Sequence, residues 1–181
     1  MSTTAGVQPH NERPAAVWSS GGAKYDQVSR GIADSIEHCV LRLDPQPGER
    51  ILDLATGTGW ASRAVANRGA TLIGADIAAD LVAAARERAK AEGINIEYRI
   101  GDAEKLAFAD GEFDAVISTC GVMFANRPEA AAAEVARVTR KGGRVALTTW
   151  LADSNLFHDG FLTELGICVP REYLLTIGVR R

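Results

Sequence analysis

Apolar residues recur at spacings of three and four from Val28 through Ile32, Ile36, Cys39, Val40 and Leu43, which predicts one helix from about Tyr25 to Leu43. The run Asp44-Pro45-Gln46-Pro47-Gly48 ends it, because each proline lacks an N–H and pushes its predecessor toward extended geometry. From Arg50 the pattern alternates between strand and helix. Ile51–Ala55 is a short apolar strand carrying one acid, and Thr58–Arg68 is a helix closed by Gly69. Thr71–Ala75 is a second strand that ends at Asp76. Asp80 is placed to cap a helix through about Glu92, with Gly93 just past its end. Ala115–Ser118 and Arg144–Thr149 are two more strands. Between them Pro128 suits the first turn of a helix reaching about Arg140, followed by Gly142-Gly143.

The remaining strand carries the most information about layout. Ile94, Ile96, Tyr98 and Ile100 alternate with Asn95, Glu97 and Arg99, a one-sided pattern that a strand between two helix layers does not tolerate. It belongs at a sheet edge, whereas the near-continuous apolar runs Ile51–Ala55 and Ala115–Ser118 belong in the middle. The expected fold is therefore α/β, a Rossmann-like doubly wound sheet of strand order 3-2-1-4-5. Its switch point, where a ligand should sit, falls between the first and fourth strands.

The ends are less regular. Residues 1–22 mix Ser, Thr, Gly and Pro without a period and are expected to form a flexible or loosely docked arm, with the core at 23–150. In 151–181, Asn155–Leu165 suits a helix stopped by Gly166, and Tyr173–Val179 suits one strand. The fifth strand then either remains an edge open to a second copy of the chain, giving a homodimer, or is covered by that last strand.

Composition narrows the partners. The 181 residues carry a formal net charge of −3, with 46% hydrophobic and 24% charged residues, and no overall basic field points to nucleic acid or an anionic membrane. Arg137, Arg140, Lys141 and Arg144 cluster, which a solvated helix end explains. Three cysteines and three histidines show neither disulfide nor metal-ligand spacing, so no metal is expected. The first residues lack the apolar centre of a signal peptide, and no apolar run approaches membrane-spanning length. The expectation is a cytoplasmic protein.

Gly57-Thr58-Gly59 is a strand-to-helix turn of the kind that lets a ligand approach the backbone and free helix N–H groups. A dinucleotide fingerprint needs a third Gly or Ala where this chain has Ser62, and it has no use for an acid such as Asp53 facing a pyrophosphate. Asp53 instead suits a cationic ammonium group and the loop's own N–H groups. Asp76, ending the second strand, is placed to accept from both hydroxyls of a ribose, or simply to cap the next turn. Asp102 closes the third strand and is placed either to accept from an adenine amino group, with Ala103 against the ring edge, or to cap a short helix.

Five segments carry a family resemblance: Ile51–Gly59, Gly74-Ala75-Asp76-Ile77, Gly101 to Leu106, Phe113 to Ser118, and Glu134 to Val138 leading into Lys141-Gly142-Gly143. Over about Trp18–Trp150 the chain resembles class I S-adenosylmethionine-dependent methyltransferases, closest to the ubiquinone/menaquinone-biosynthesis-like group. Ala55 stands where many members have Gly. The resemblance implies methyl transfer from S-adenosyl-L-methionine to a small-molecule acceptor. It places Asp53, Ala55, Gly57 and Gly59 around the methionine moiety, and Asp76 and Ile77 at the ribose and adenine. Asp102 and Ala103 fall at the adenine, and Thr119 on the sulfonium side. Tyr25-Asp26 resembles the helix that folds over the cofactor, so Tyr25 either faces the methyl group or packs in the core. Trp18 either belongs to the same lid or, as the default, packs on the surface as an arm residue.

No general base is evident. His158 qualifies by type only, and Cys120 reads as a packing residue. The family normally adds a helix and a two-strand hairpin after its fifth strand, so the C-terminal part here is expected to be shortened or divergent. Two alternatives follow: a non-catalytic S-adenosylmethionine-binding protein, and an NAD(P)-type oxidoreductase, the latter disfavoured by Asp53 and Ser62.

Overall fold

A computed structural model describes residues 6–150 and 173–181. Among the described residues six strands form one mixed sheet of order β3-β2-β1-β4-β5-β6. They are β1 (Arg50–Leu54), β2 (Thr71–Asp76), β3 (Glu97–Ile100), β4 (Phe113–Thr119), β5 (Thr139–Trp150) and β6 (Tyr173–Val179). The first five are mutually parallel, and β6 runs antiparallel beside β5. Central placement of β1 and β4 follows from their apolar runs, with Ile51 opposite Ala115 and Leu52 opposite Val116.

Strand alternation divides the core into two layers. Ile51 and Ile117 pack with Ile36, Val40 and Leu43 of α3 (Ala33–Leu43) and Val65 of α4 (Trp60–Ala66). Leu52, Leu54 and Val116 face the other way, against Val135 and Val138 of α6 (Pro128–Val138). A smaller cluster joins Tyr98 of β3 to Val82, Ala85 and Ala89 of α5 (Ala79–Ala91).

Several boundaries differ from expectation, each for a local reason. The helix expected over Tyr25–Leu43 is broken at Ile32, whose φ −122° and ψ 18° separate α2 (Asp26–Gly31) from α3. Gly31, a weak helix former, permits the break. The third strand begins at Glu97 rather than Ile94, because the Ile94 N–H bonds back to the Ala89 carbonyl and closes α5. Asp80 caps nothing; Asp76 Oδ1 accepts from the Ala78 N–H at 2.9 Å, just ahead of α5. Gly142-Gly143 is not a helix stop, since β5 starts at Thr139 and Gly142 lies by the irregularity in the β4–β5 register. Three of the four members of the basic cluster are paired rather than merely solvated: Arg137 with Glu134 and Asp110, Arg140 with Asp114, and Arg144 with Glu49.

Two findings concern the ends. Residues 9–19, expected as an irregular arm, form a 3-10 turn (Pro9–Asn11) and α1 (Glu12–Ser19), which packs on α5. β6 covers β5 from Arg144↔Val179 to Trp150↔Tyr173, so among the described residues the sheet edges are β3 and β6. The helix expected at Asn155–Leu165, its stop Gly166, and His158 lie outside the described residues. Among the described residues no helix is long and apolar enough to cross a membrane, and no cluster of ligand-type side chains could hold a metal.

Candidate functional site

The carboxyl ends of β1 to β4 open onto a cavity of about 440 Å³ at the switch point between β1 and β4. Its floor is the loop after β1, where Ala55, Gly57 and Gly59 all adopt left-handed backbone, with φ of 57°, 56° and 79°. Gly59 must be glycine for a second reason: a Cβ there would lie 2.4 Å from the Tyr98 hydroxyl. The loop is tied to β2 by the Thr56 N–H, which donates to the Ala75 carbonyl at 3.0 Å.

Three carboxylates stand at the ends or within three successive strands, in three environments. Asp53 is fully buried beneath the loop. Its Oδ2 accepts from the hydroxyls of Thr56 and Ser62, both at 2.6 Å, while Oδ1 is buried without a partner. Burial pushes its carboxyl up to about 6, against the two hydroxyl hydrogen bonds and with the Asp76 charge adding to the rise. Asp76 accepts from the Gly57 N–H at 2.8 Å through Oδ2 and from the Ala78 N–H at 2.9 Å through Oδ1. Burial raises its carboxyl above the usual value despite those backbone donors. Asp102 is 1% exposed, and its partners lie largely in the N-terminal arm.

The roof is aromatic. Trp18 meets Tyr25 edge-on, with ring centroids 6.1 Å apart, and lies 5.1 Å from the Phe124 ring. Tyr25 is positioned by its neighbour Asp26, whose buried Oδ1 accepts from Trp60 Nε1 at 2.7 Å and Thr58 Oγ1 at 3.2 Å and pairs with Arg88 at 3.0 Å. One carboxylate thus fixes the roof segment to the glycine loop, α4 and α5. Burial raises the Tyr25 hydroxyl, with the Asp76 charge in the same direction, and burial likewise raises the Cys120 thiol. Both are neutral at physiological pH.

Of the residues expected from the sequence, Tyr25, Ala55, Gly57, Asp76, Ile77, Asp102, Ala103 and Thr119 line the cavity. Asp53 and Gly59 do not reach its wall, and the hydroxyls of Thr56 and Ser62 lie between Asp53 and the loop. Trp18 is part of the wall, which fits the lid alternative rather than the default surface placement, and so are Asn11, Trp60 and Phe124, which no sequence pattern singles out. An aromatic preceding Tyr25 was a usable signal for Trp18. Asn11 offered none. Among the described residues, the charged side chains on the wall are Asp76, Asp102 and Glu104, with neither Lys nor Arg.

Residues 52–147 match the family described as Methyltransferase domain. An uncharacterized protein of Mycobacterium tuberculosis is 43% identical over 107 residues, covering 59% of this chain and 39% of its own length. A demethylmenaquinone methyltransferase of Beutenbergia cavernae is 39% identical over 144 residues, covering 77% of this chain and 58% of that relative. The crystal structure of the YcgJ protein from Bacillus subtilis superposes with TM-score 0.64 at 26% identity, covering 74% of this chain and 58% of that one. The chain spans 39% to 58% of the length of these curated relatives. With more than half of its residues inside the matched domain, the chain belongs to the methyltransferase-domain family of class I S-adenosylmethionine-dependent methyltransferases.

Proposed function

We propose that the cavity binds S-adenosyl-L-methionine and that the chain takes part in methyl transfer to a small, apolar, uncharged acceptor. The observation that carries this reading is the charge of the wall: among the described residues it presents carboxylates and no cationic side chain. Such a wall repels a pyrophosphate, which weighs against a dinucleotide, and favours a cation rich in hydrogen-bond donors.

The residues present fit that ligand. Each Asp76 oxygen accepts one backbone N–H and keeps a free lone pair, as a pair of ribose hydroxyls requires. The unpartnered Asp53 Oδ1 leaves a buried negative charge beneath the loop, to which an ammonium group nearby would respond. When bound, S-adenosylmethionine supplies a methyl group already activated on a sulfonium. What the chain must add is orientation and exclusion of water. Asp76 and the left-handed loop orient, and Trp18, Tyr25 and Phe124 close the roof. Trp60, Trp150 and Ile36 extend an apolar wall that suits an uncharged acceptor. With Tyr25 and Cys120 both protonated, neither serves as a base, which favours an acceptor atom nucleophilic without proton loss.

A non-catalytic binding role is the second reading, favoured by a cavity in which Tyr25 and Cys120 are both held neutral. Titration calorimetry with S-adenosylmethionine, S-adenosylhomocysteine and NADH tests the ligand. Heat is expected with the two sulfur ligands only, and Asp76→Ala should remove it. Binding of NADH alone would refute the assignment. Methyl transfer to a panel of apolar acceptors separates the two readings.

A further inference from the structure

We propose that β6 pairs antiparallel with β6 of a second copy of the chain, across a two-fold axis at Thr176, so that the two sheets become one.

Among the described residues β6 is a sheet edge, and it lacks the devices that keep edges apart. From Tyr173 to Val179 it carries no charge and no proline, and its register with β5 is unbroken. The other edge, β3, has four residues, among them Glu97 and Arg99. β6 instead exposes Leu174, Ile177 and Val179 by 53%, 40% and 64%.

The direction of its free backbone groups follows from its pairing with β5. The Arg180 N–H donates to the Gly143 carbonyl at 2.9 Å, and the Arg180 carbonyl accepts from the Gly142 N–H at 2.7 Å. Alternation along the ladder then turns the N–H and C=O of Leu174, Thr176 and Gly178 toward β5, and those of Tyr173, Leu175, Ile177 and Val179 outward. An axis at Thr176 sets Tyr173 opposite Val179 of the copy, and Leu175 opposite Ile177. The whole strand overlaps, and the outward residues meet as hydrogen-bonded pairs. Each pair exchanges two bonds, about eight in total, within the about ten ± five of an ordinary interface. A slip of one residue sets outward groups against inward ones, and a larger slip shortens the overlap.

The side chains match in the same register. His38 Nδ1 of α3 lies 2.8 Å from the Tyr173 hydroxyl and Leu175 packs into the α3 cluster, so the odd-numbered residues face α3. On that face the axis creates Tyr–Val and Leu–Ile cross-strand pairs, and on the other Thr176 meets its own copy; pairs of these kinds stabilise sheets. Leu41, 65% exposed, follows His38 by three positions on α3, and the axis brings α3 of the copy to the same side of the sheet. A strand that complements itself along its whole length is what an isologous contact requires, which selects a second copy over an unrelated strand.

Sedimentation of the full chain over a micromolar concentration series should show a monomer–dimer equilibrium. Thr176→Lys sets like charges directly opposite each other at the axis and should weaken the dimer about ten-fold, while Thr176, exposed in the monomer, leaves its melting unchanged. Cross-linking with a mild oxidant reads the register. Across the axis the Cα atoms of residue 176 stand about 4.5 Å apart, within disulfide reach, so Thr176→Cys should yield a covalent dimer above the wild-type background. Leu174→Cys should not, because its copy lies four residues away, about 14 Å. A monomer at every concentration overturns the proposal, as does a dimer indifferent to Thr176→Lys. If Thr176→Lys fails to fold, the cross-links decide: a dimer that Thr176→Cys does not trap, or that Leu174→Cys traps equally, overturns the register.

Discussion

At Asp53, stability and the proposed ligand binding oppose one another, and Asp53→Asn exposes the conflict. The folded carboxyl sits at about 6 against an ordinary value of 3.8, raised chiefly by burial. A raised carboxyl stabilises the fold at low pH, where it is protonated, and that contribution is lost as pH rises from 3.8 through about 6. Over the full range the ionised form costs about 3 kcal/mol, at about 1.4 kcal/mol for each pH unit separating the folded and unfolded values. Between pH 5 and pH 7.5 the linkage integral gives about 1.4 kcal/mol. Asn cannot ionise, so the variant escapes this loss. Its new N–H group at the unpartnered Oδ1 position carries a pH-independent penalty of about 1–3 kcal/mol. Urea unfolding at several pH values separates the two effects, because only the first changes with pH. The variant should gain about 1.4 kcal/mol on the wild type from pH 5 to 7.5. Parallel stability profiles would refute the buried, ionising Asp53. In the same pH window, wild-type affinity for a cationic ligand should fall as Asp53 protonates.

Two further predictions concern backbone and packing. Gly59→Ala should destabilise by about 2 kcal/mol or more, since the new methyl meets the Tyr98 hydroxyl at left-handed φ. Tyr98→Phe alone should be neutral or stabilise by about 1 kcal/mol, because it removes a buried hydroxyl without a hydrogen-bond partner. Combined with Gly59→Ala it should recover part of that loss, so strict additivity in denaturant unfolding would count against the contact. Ala55→Gly should stabilise by about 1 kcal/mol by relieving φ 57°, measured as a higher melting temperature; an unchanged or lower one would show that Ala55 is not strained.

What the sequence disclosed follows from how far each signal reaches. Strand order was legible because burial on two faces leaves continuous apolar runs, as in Ile51–Leu54, and burial on one face leaves alternation, as at Tyr98 and Ile100. The depth of Asp53 was implicit in strand parity: it shares a face with Ile51, beneath α4 and Ser62, rather than opening to the cavity. The break at Ile32 was hidden because Ile32 completes the apolar stripe of α3 although its backbone is not helical. The order of the N-terminal segment around Asn11 and α1 was illegible for a different reason. Its order comes from hydrogen bonds to Asp102 and Asn126, and no local period records partners so distant.

The pairing of β1 with β4 also dictates when the cavity can exist during folding. β1 and β2 meet through a short crossover, but the Arg50 N–H reaches Asp114 Oδ2 across 64 positions. That closure is the expensive, non-local step, and topologies rich in such steps fold slowly. Since the crevice lies between those two strands, a chain with only the first three strands in place has a glycine loop and no pocket. A nucleoside ligand would therefore leave the early association rate alone and act after closure, slowing unfolding rather than hastening folding.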